Sequence, residues 1–308
     1  MEAITVKGIR KSYLTGKVKT EALHPVDLEV RKGELFGLIG PDGAGKTTLL
    51  RILVTLLLPD EGEGVVEGYD LRTGMREIRK RCGYMPGRFS LYQDLSVEEN
   101  LQFFATVFRS SIRENYTLIS EIYKQLEPFK DRPAGKLSGG MKQKLALCCA
   151  LIHRPSILFL DEPTTGVDAV SRVEFWEILA RLKREGITIM VSTPYMDEAS
   201  RCDRVALMEG GRLLQTAEPS KIQEAYGYPL FAVRGKDMYA LLRDLKIVPG
   251  VMSVYPFGEY HHAVLGRGVS SDAVFAHPLL SGHQMEFREV QPDIEDCFMA
   301  AMQKANDV

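Results

Sequence analysis

Apolar positions along the chain fall into two alternating periods. The run Leu35–Ile39 is continuously apolar and stops at Gly40, as expected of a strand buried on both faces. From Lys46 the spacing turns helical and predicts a helix over 46–58, halted by Pro59. Upstream of this unit, short β-rich runs alternate with turn residues. Ser96 and Glu99 form a capping-box pattern opening a helix that runs through Val107. Residues 111–126 form a second helical stretch ended by Pro128, and a third helix follows Ser138. Residues 88–153 therefore read as a mostly helical insertion between strands of an α/β core.

The core then resumes. Residues 157–160 predict a buried strand, 170–185 an amphipathic helix closed by Gly186, and 187–191 another buried strand. That βαβ rhythm implies a parallel sheet. Runs at 204–209 and 212–216 flank Gly210-Gly211, a two-residue hairpin signal giving the core an antiparallel edge. From about residue 226 the order becomes strand 230–233, helix 236–245, hairpin 251–265, helix 271–280, strand 285–290 and a last helix. Such a βαββαβ order predicts a small ferredoxin-like α+β domain over 226–308, after a large domain over 1–222.

Composition narrows the functional classes. The 308 residues are 45% hydrophobic and 26% charged, the make-up of an ordinary globular chain. A formal net charge of -2 argues against a broadly basic surface, so nucleic acid is not an expected partner. The opening MEAITVKGIRKSY lacks the apolar core of a secretory leader, and a cytoplasmic chain is expected. Apolar runs such as 49–58 and 145–152 fall short of the roughly 20 residues that cross a bilayer, so membrane contact is expected only through a partner. The five cysteines, Cys82, Cys148, Cys149, Cys202 and Cys297, contain no CxxC pair and are expected as reduced, buried thiols.

Chemistry enters at Gly40-Pro41-Asp42-Gly43-Ala44-Gly45-Lys46-Thr47, with Thr48 following. The string fits G-x-x-x-x-G-K-[ST] between a predicted strand and a predicted helix. Glycines let successive N–H groups turn inward around phosphates, and the helix start adds its positive end. Lys46 then reaches the terminal phosphates, and the Thr47 hydroxyl can bind Mg²⁺. At the end of the 157–160 strand, Asp161 is placed to hold Mg²⁺ directly or through water. Glu162 follows at once, placed to orient or deprotonate an attacking water. Kinases and GTPases share these two elements. What separates them is Leu137-Ser138-Gly139-Gly140-Met141-Lys142-Gln143, where Ser138, Gly139 and Gly140 expose N–H groups at a helix start and make a second anion site.

Taken together, Tyr13, the GPDGAGKTT loop, LSGGMKQ, ILFLDEP and the TTGVD turn ending at Asp168 resemble the ABC ATPase family in order and spacing, over residues 3 to about 218. The resemblance implies a P-loop NTPase core of RecA-like type with a helical subdomain, and ATP with Mg²⁺ as cofactors. It implies that two ATPase subunits, identical or different, pack head to tail, so that the phosphate loop of one and Ser138 of the other clamp one ATP. By position Tyr13 would stack on adenine and Asp168 would communicate across the dimer. A transmembrane permease is the implied partner, at the inner face of the cell membrane. The tail Gln291-Pro292-Asp293-Ile294-Glu295-Asp296-Cys297-Phe298 looks like that of ATPases serving ABC-2-type exporters of drugs, antibiotics or polysaccharides.

Two departures from the family pattern matter. The family carries a glutamine after GY-x-P, whereas this chain reads Gly83-Tyr84-Met85-Pro86-Gly87, with Gln93 too far along to substitute. The family's histidine after ST is replaced here in Ser192-Thr193-Pro194-Tyr195, where proline removes both imidazole and backbone donor. Losing one such donor typically costs a factor of about 10² to 10³ in rate. The expectation is a slow ATP site, in the regulatory half of a heterodimer whose intact LSGG completes the partner's site. The alternative is a homodimer in which both changes are tolerated and ATP is hydrolysed with Glu162 and water alone.

Overall fold

The computed structural model describes residues 1–88 and 90–306, so the last two positions of the predicted second domain lie outside it. Two compact units emerge, one built on Met1–Pro219 and the other on Ser220–Gln303.

The first unit opens with two long antiparallel strands, β1 (Glu2–Thr15) and β2 (Val18–Arg31), in place of the short runs the sequence suggests. After β3 (Leu35–Ile39) comes α1 (Lys46–Leu53). β4 (Glu61–Val66) and β5 (Tyr69–Asp70) then join β1 and β2 in a four-stranded sheet of order β2-β1-β4-β5. α2 (Met75–Arg81) leads into β6 (Cys82–Met85). The helical insertion supplies α3 (Val97–Val107), α4 (Ile112–Leu126) and α5 (Gly139–Leu151). Ser96 with Glu99, and Ser111 with Glu114, close both halves of a capping box, so α3 and α4 begin where local sequence dictates.

The core continues through β7 (Ile157–Asp161), α6 (Ala169–Arg184), β8 (Thr188–Thr193), β9 (Arg204–Glu209) and β10 (Arg212–Ala217). These strands form a six-stranded sheet of order β10-β9-β3-β8-β7-β6. All its pairings are parallel except the β9–β10 hairpin. β3, β7 and β8 are buried at every position, which explains the apolar runs at 35–39, 157–160 and 189–191. Phe36 and Leu38 of β3 share one core with Val6 and Ile9 of β1, Val26 and Leu28 of β2, and Leu49, Leu50 and Leu53 of α1.

The helix expected over 46–58 ends at Leu53. Thr55 turns into the left-handed region at φ 61°, its N–H bonds to Ile52 O, and Leu56 N–H bonds back to Arg51 O. That is the helix-terminating motif glycine usually makes, here made by threonine four residues before Pro59.

The second unit contains α7 (Pro219–Glu224) at its entry, then β11 (Leu230–Arg234), α8 (Met238–Leu245), β12 (Val251–Phe257), β13 (Tyr260–Leu265), α9 (Ser271–Phe275), β14 (Glu286–Glu289) and α10 (Ile294–Asn306). Its sheet has the order β12-β13-β11-β14 with antiparallel pairings throughout. Two expected helices are shorter than drawn. Asp237 caps α8 so that it starts at Met238, and the stretch 271–280 breaks after Phe275 into a short 3₁₀ turn, Pro278–Leu280, because Pro278 cannot continue the helix. His261 and His262 point to opposite sides of the sheet, bonding Met238 O and Asp296 respectively. All five cysteines are free and buried.

Candidate functional site

Strand register brings the chemistry together. Ile39 lies beside Thr193, and Ser192 beside Asp161, so β3, β7 and β8 end level with one another. Gly40, the Asp161-Glu162 pair and the Ser192-Thr193 pair therefore share the carboxyl edge of the parallel sheet, where ligands of α/β folds bind.

The loop after β3 needs its glycines for space and conformation. A Cβ on Gly40 would stand 2.1 Å from Met208 O. Gly45 caps α1 at φ 102°, and a Cβ there would meet Ala22 O at 2.7 Å. Both contacts are with backbone and cannot yield. Gly43 also sits in the left-handed region at φ 81° and is exposed with Asp42, while Ala44 is buried against the core and Pro41 is half-buried. The loop is thereby folded back over its own lysine. Lys46 is buried and donates to Gly40 O and Pro41 O, both at 2.8 Å, and pairs with Glu162 Oε1 at 3.0 Å. Three acceptors hold the ammonium inside the loop, where a phosphate anion would bind it by taking the place of one of them.

Next to Lys46, the Thr47 hydroxyl donates to Asp161 Oδ1 at 3.0 Å. A hydroxyl and a carboxylate side by side are hard oxygen donors of the kind Mg²⁺ accepts alongside phosphate oxygens and water. Asp161 is buried and takes a second hydrogen bond at Oδ1, from Ser192 Oγ at 2.8 Å. Glu162 is half-buried at the site's edge and adopts φ 50°, an unusual conformation for a side-chain-bearing residue. Its N–H is held by both Ser192 O and Ser192 Oγ at 3.1 Å.

Other sequence-selected residues lie around this cluster. Tyr13 is 39% exposed, with its hydroxyl 3.5 Å from Thr48 Oγ1, so its ring borders the loop and faces solvent. Ser138 and Gly139 are exposed at the start of α5, where Ser138 Oγ accepts Met141 N–H at 3.3 Å. A Cβ on Gly140 would come 2.7 Å from Ser171 Oγ, so the α5 start abuts the α6 start. Asp168 caps α6 by accepting Ser171 N–H at 3.0 Å, which holds its carboxyl below the usual range. The described hydrogen bonds of Ser138 and Asp168 thus run to their own helices, whereas Lys46, Thr47, Asp161 and Glu162 meet directly.

Gly87 lies against the acidic pair: a Cβ there would stand 3.0 Å from Asp161 O and 3.8 Å from Asp161 Cγ. Gln93 is elsewhere, its carbonyl accepting Gly135 N–H. Pro194 follows Thr193, whose carbonyl accepts Gly40 N–H at 3.3 Å. Sequence reasoning missed Ser192 as a site residue. The available signal was a hydroxyl pair, Ser192-Thr193, ending an otherwise apolar strand.

The ABC transporter family model matches residues 23–165. The probable multidrug ABC transporter ATP-binding protein YbhF of Escherichia coli (strain K12) is 44% identical over 302 residues, covering 96% of this chain and 51% of that protein. This chain thus spans about half the length of the first curated relatives it matches. The doxorubicin resistance ATP-binding protein DrrA of Mycobacterium tuberculosis is 35% identical over 268 residues, covering 85% of this chain and 78% of that one. Among solved structures, the dimeric post-hydrolysis state of the ATP-binding cassette MJ0796, bound to ADP and Pi, aligns with TM-score 0.64 and 27% identity over 70% of this chain and 98% of that chain. With the phosphate loop, the acidic strand end and the serine-capped α5 all present in one chain, and with DrrA 35% identical and matched over 78% of its length, this protein belongs to the ABC transporter ATP-binding family.

Proposed function

We propose that the chain binds Mg·ATP at the carboxyl edge of its six-stranded sheet and hydrolyses it to energise export through a separate membrane permease. The observation that carries this reading is the direct meeting of Lys46, Thr47, Asp161 and Glu162. Lys46 and the loop N–H groups hold the phosphates, Thr47 and Asp161 hold Mg²⁺, and Tyr13 stacks on adenine. Bound Mg²⁺ neutralises charge on the phosphate oxygens. Glu162 orients and deprotonates the attacking water, once the phosphate has drawn Lys46 away from its carboxylate.

In this reading residues 1–222 form the nucleotide-binding domain, with its helical subdomain over about 88–153. Residues 226–308 form an accessory ferredoxin-like domain, supported by the βαββαβ order and the antiparallel β12-β13-β11-β14 sheet. The chain works as a dimer in which Ser138 and Asp168 face the partner ATPase, at the inner face of the membrane. The names of YbhF and DrrA support a drug-exporting role.

A second reading is favoured by Gly87 and Pro194, which leave the site without the family's glutamine and histidine. The chain is then the nucleotide-binding, slowly hydrolysing half of a heterodimer. ATP turnover of the purified chain, set beside Glu162→Gln, separates the two. Turnover abolished by that substitution supports a self-sufficient motor, and nucleotide binding with negligible wild-type turnover supports the regulatory half. Absence of any nucleotide binding would sink both.

A further inference from the structure

Resting on the nucleotide-site reading above, we infer that Ser192 is a positioning residue that sets both members of the acidic pair. Its hydroxyl is bonded in both directions. It donates to Asp161 Oδ1 at 2.8 Å and accepts the N–H of Glu162 at 3.1 Å. Ser192 is fully buried, one of the few polar side chains in the sheet's interior, and β-ladder register sets it directly beside Asp161.

Two consequences follow from chemistry. The described donors to Asp161, Ser192 Oγ and Thr47 Oγ1, both fall on Oδ1, which fixes the carboxylate rotamer beside the Thr47 hydroxyl. A carboxylate held in this way presents its remaining lone pairs without rotational search, as ligands oriented by neighbouring hydrogen bonds do. Glu162 sits at φ 50°, a conformation that persists only where surroundings over-determine it. Ser192 supplies both acceptors for its N–H, the carbonyl and the hydroxyl, each at 3.1 Å. One side chain therefore orients the metal-side carboxylate and pins the backbone that aims the water-side carboxylate.

The neighbouring hydroxyl provides the control. Thr193 is equally buried on the same strand, but it donates to Glu198 Oε2 at 2.5 Å instead of to the acidic pair. Removing either hydroxyl deletes two hydrogen bonds, since Thr193 Oγ1 also accepts Tyr195 N–H at 3.1 Å, and only removal at 192 touches Asp161 and Glu162.

The test compares wild type, Ser192→Ala and Thr193→Val by calorimetric ADP binding across a Mg²⁺ titration, with thermal unfolding and ATP turnover alongside. Ser192→Ala should raise the Mg²⁺ concentration for half-maximal enhancement of ADP binding by about tenfold and lower turnover by about 10- to 100-fold, the usual range for losing a residue that orients a metal ligand. ADP affinity without Mg²⁺ should stay within about twofold, since Lys46 and the loop are untouched. Thr193→Val should lower the unfolding temperature without moving the Mg²⁺ requirement. An unchanged Mg²⁺ requirement in Ser192→Ala, or the same shift in Thr193→Val, overturns the inference and leaves the nucleotide reading standing. Wild-type protein whose ADP binding ignores Mg²⁺ overturns the site reading itself, and the inference with it.

Discussion

Pro194 stands where the proposed chemistry would use a hydrogen-bond donor. The carbonyl of Thr193 receives Gly40 N–H, so residue 194 leaves the sheet directly beside the phosphate loop. A ring without an N–H donates nothing to charge developing on a phosphate. Pro194→His should therefore raise phosphate release by at least about tenfold, a conservative fraction of what one preorganised donor supplies. Unchanged turnover in a folded variant would show that the loop does not carry position 194 to the phosphate. Gly87→Gln is a less clean substitution, because its Cβ must settle 3.0 Å from Asp161 O and push that carbonyl aside. At this scale the sequence was partly legible. The glycines of the phosphate loop declare themselves through a motif, although what forbids a side chain at Gly40 is Met208 O on distant β9. The Ser192-Thr193 pair marks hydroxyls at a strand end, but not which neighbour Ser192 faces until register is known.

Among the elements, α10 shows how one cap carries a titration. Asp293 Oδ1 accepts Asp296 N–H at 2.9 Å, and Asp296 Oδ2 accepts Asp293 N–H at 2.8 Å, a reciprocal cap built from two carboxylates. Asp296 Oδ1 also receives Tyr255 OH at 2.7 Å and His262 Nδ1 at 2.6 Å. Burial pushes both carboxyls up. The His262, Asp293 backbone and Tyr255 hydrogen bonds bring Asp296 back below its ordinary value, whereas Asp293 is left raised to about 6. Folded protein thus keeps the Asp293 proton up to about pH 6, while the unfolded chain releases it near 3.8. Between those values the native state binds more protons, so this group's contribution to stability falls as pH rises. Asp293→Asn keeps the capping oxygen and removes the titration. Amide exchange over 220–303, corrected for intrinsic rates, should lose part of its pH slope between about pH 4 and 6 in that variant. An unaltered slope would assign the proton uptake to another group. Elements with local signals were legible: Ser96 and Ser111 cap α3 and α4 where the pattern put them. The end of α1 was not, because its terminating motif uses Thr55 at positive φ, which residue type disfavours and tertiary packing imposes.

At the level of the whole molecule, the proposed ATP contact of α5 lies outside the described cluster at the phosphate loop, and the described hydrogen bond of Ser138 runs to Met141 of its own helix. Ser138 and Gly139 are exposed, while the described cluster at the phosphate loop is completed by Glu162 and Ser192. A helix start with free N–H groups is an anion seat, and a seat directed at solvent serves a phosphate only if another chain brings one. No helix among the described residues is long and apolar enough to cross a membrane. A site shared between two chains, as proposed, has a stoichiometric consequence. Lys46→Ala chains keep Ser138 but lose the phosphate seat, and Ser138→Ala chains do the reverse. Each variant alone should be inactive. Mixed, a heterodimer contains one composite site with both defects and one with neither. Random pairing in a two-fold assembly should then restore about a quarter of wild-type sites, read as ATP turnover against mixing ratio with a maximum at equal amounts. A mixture as inactive as its components would mean that Ser138 serves its own chain, and the head-to-tail arrangement would fall with it.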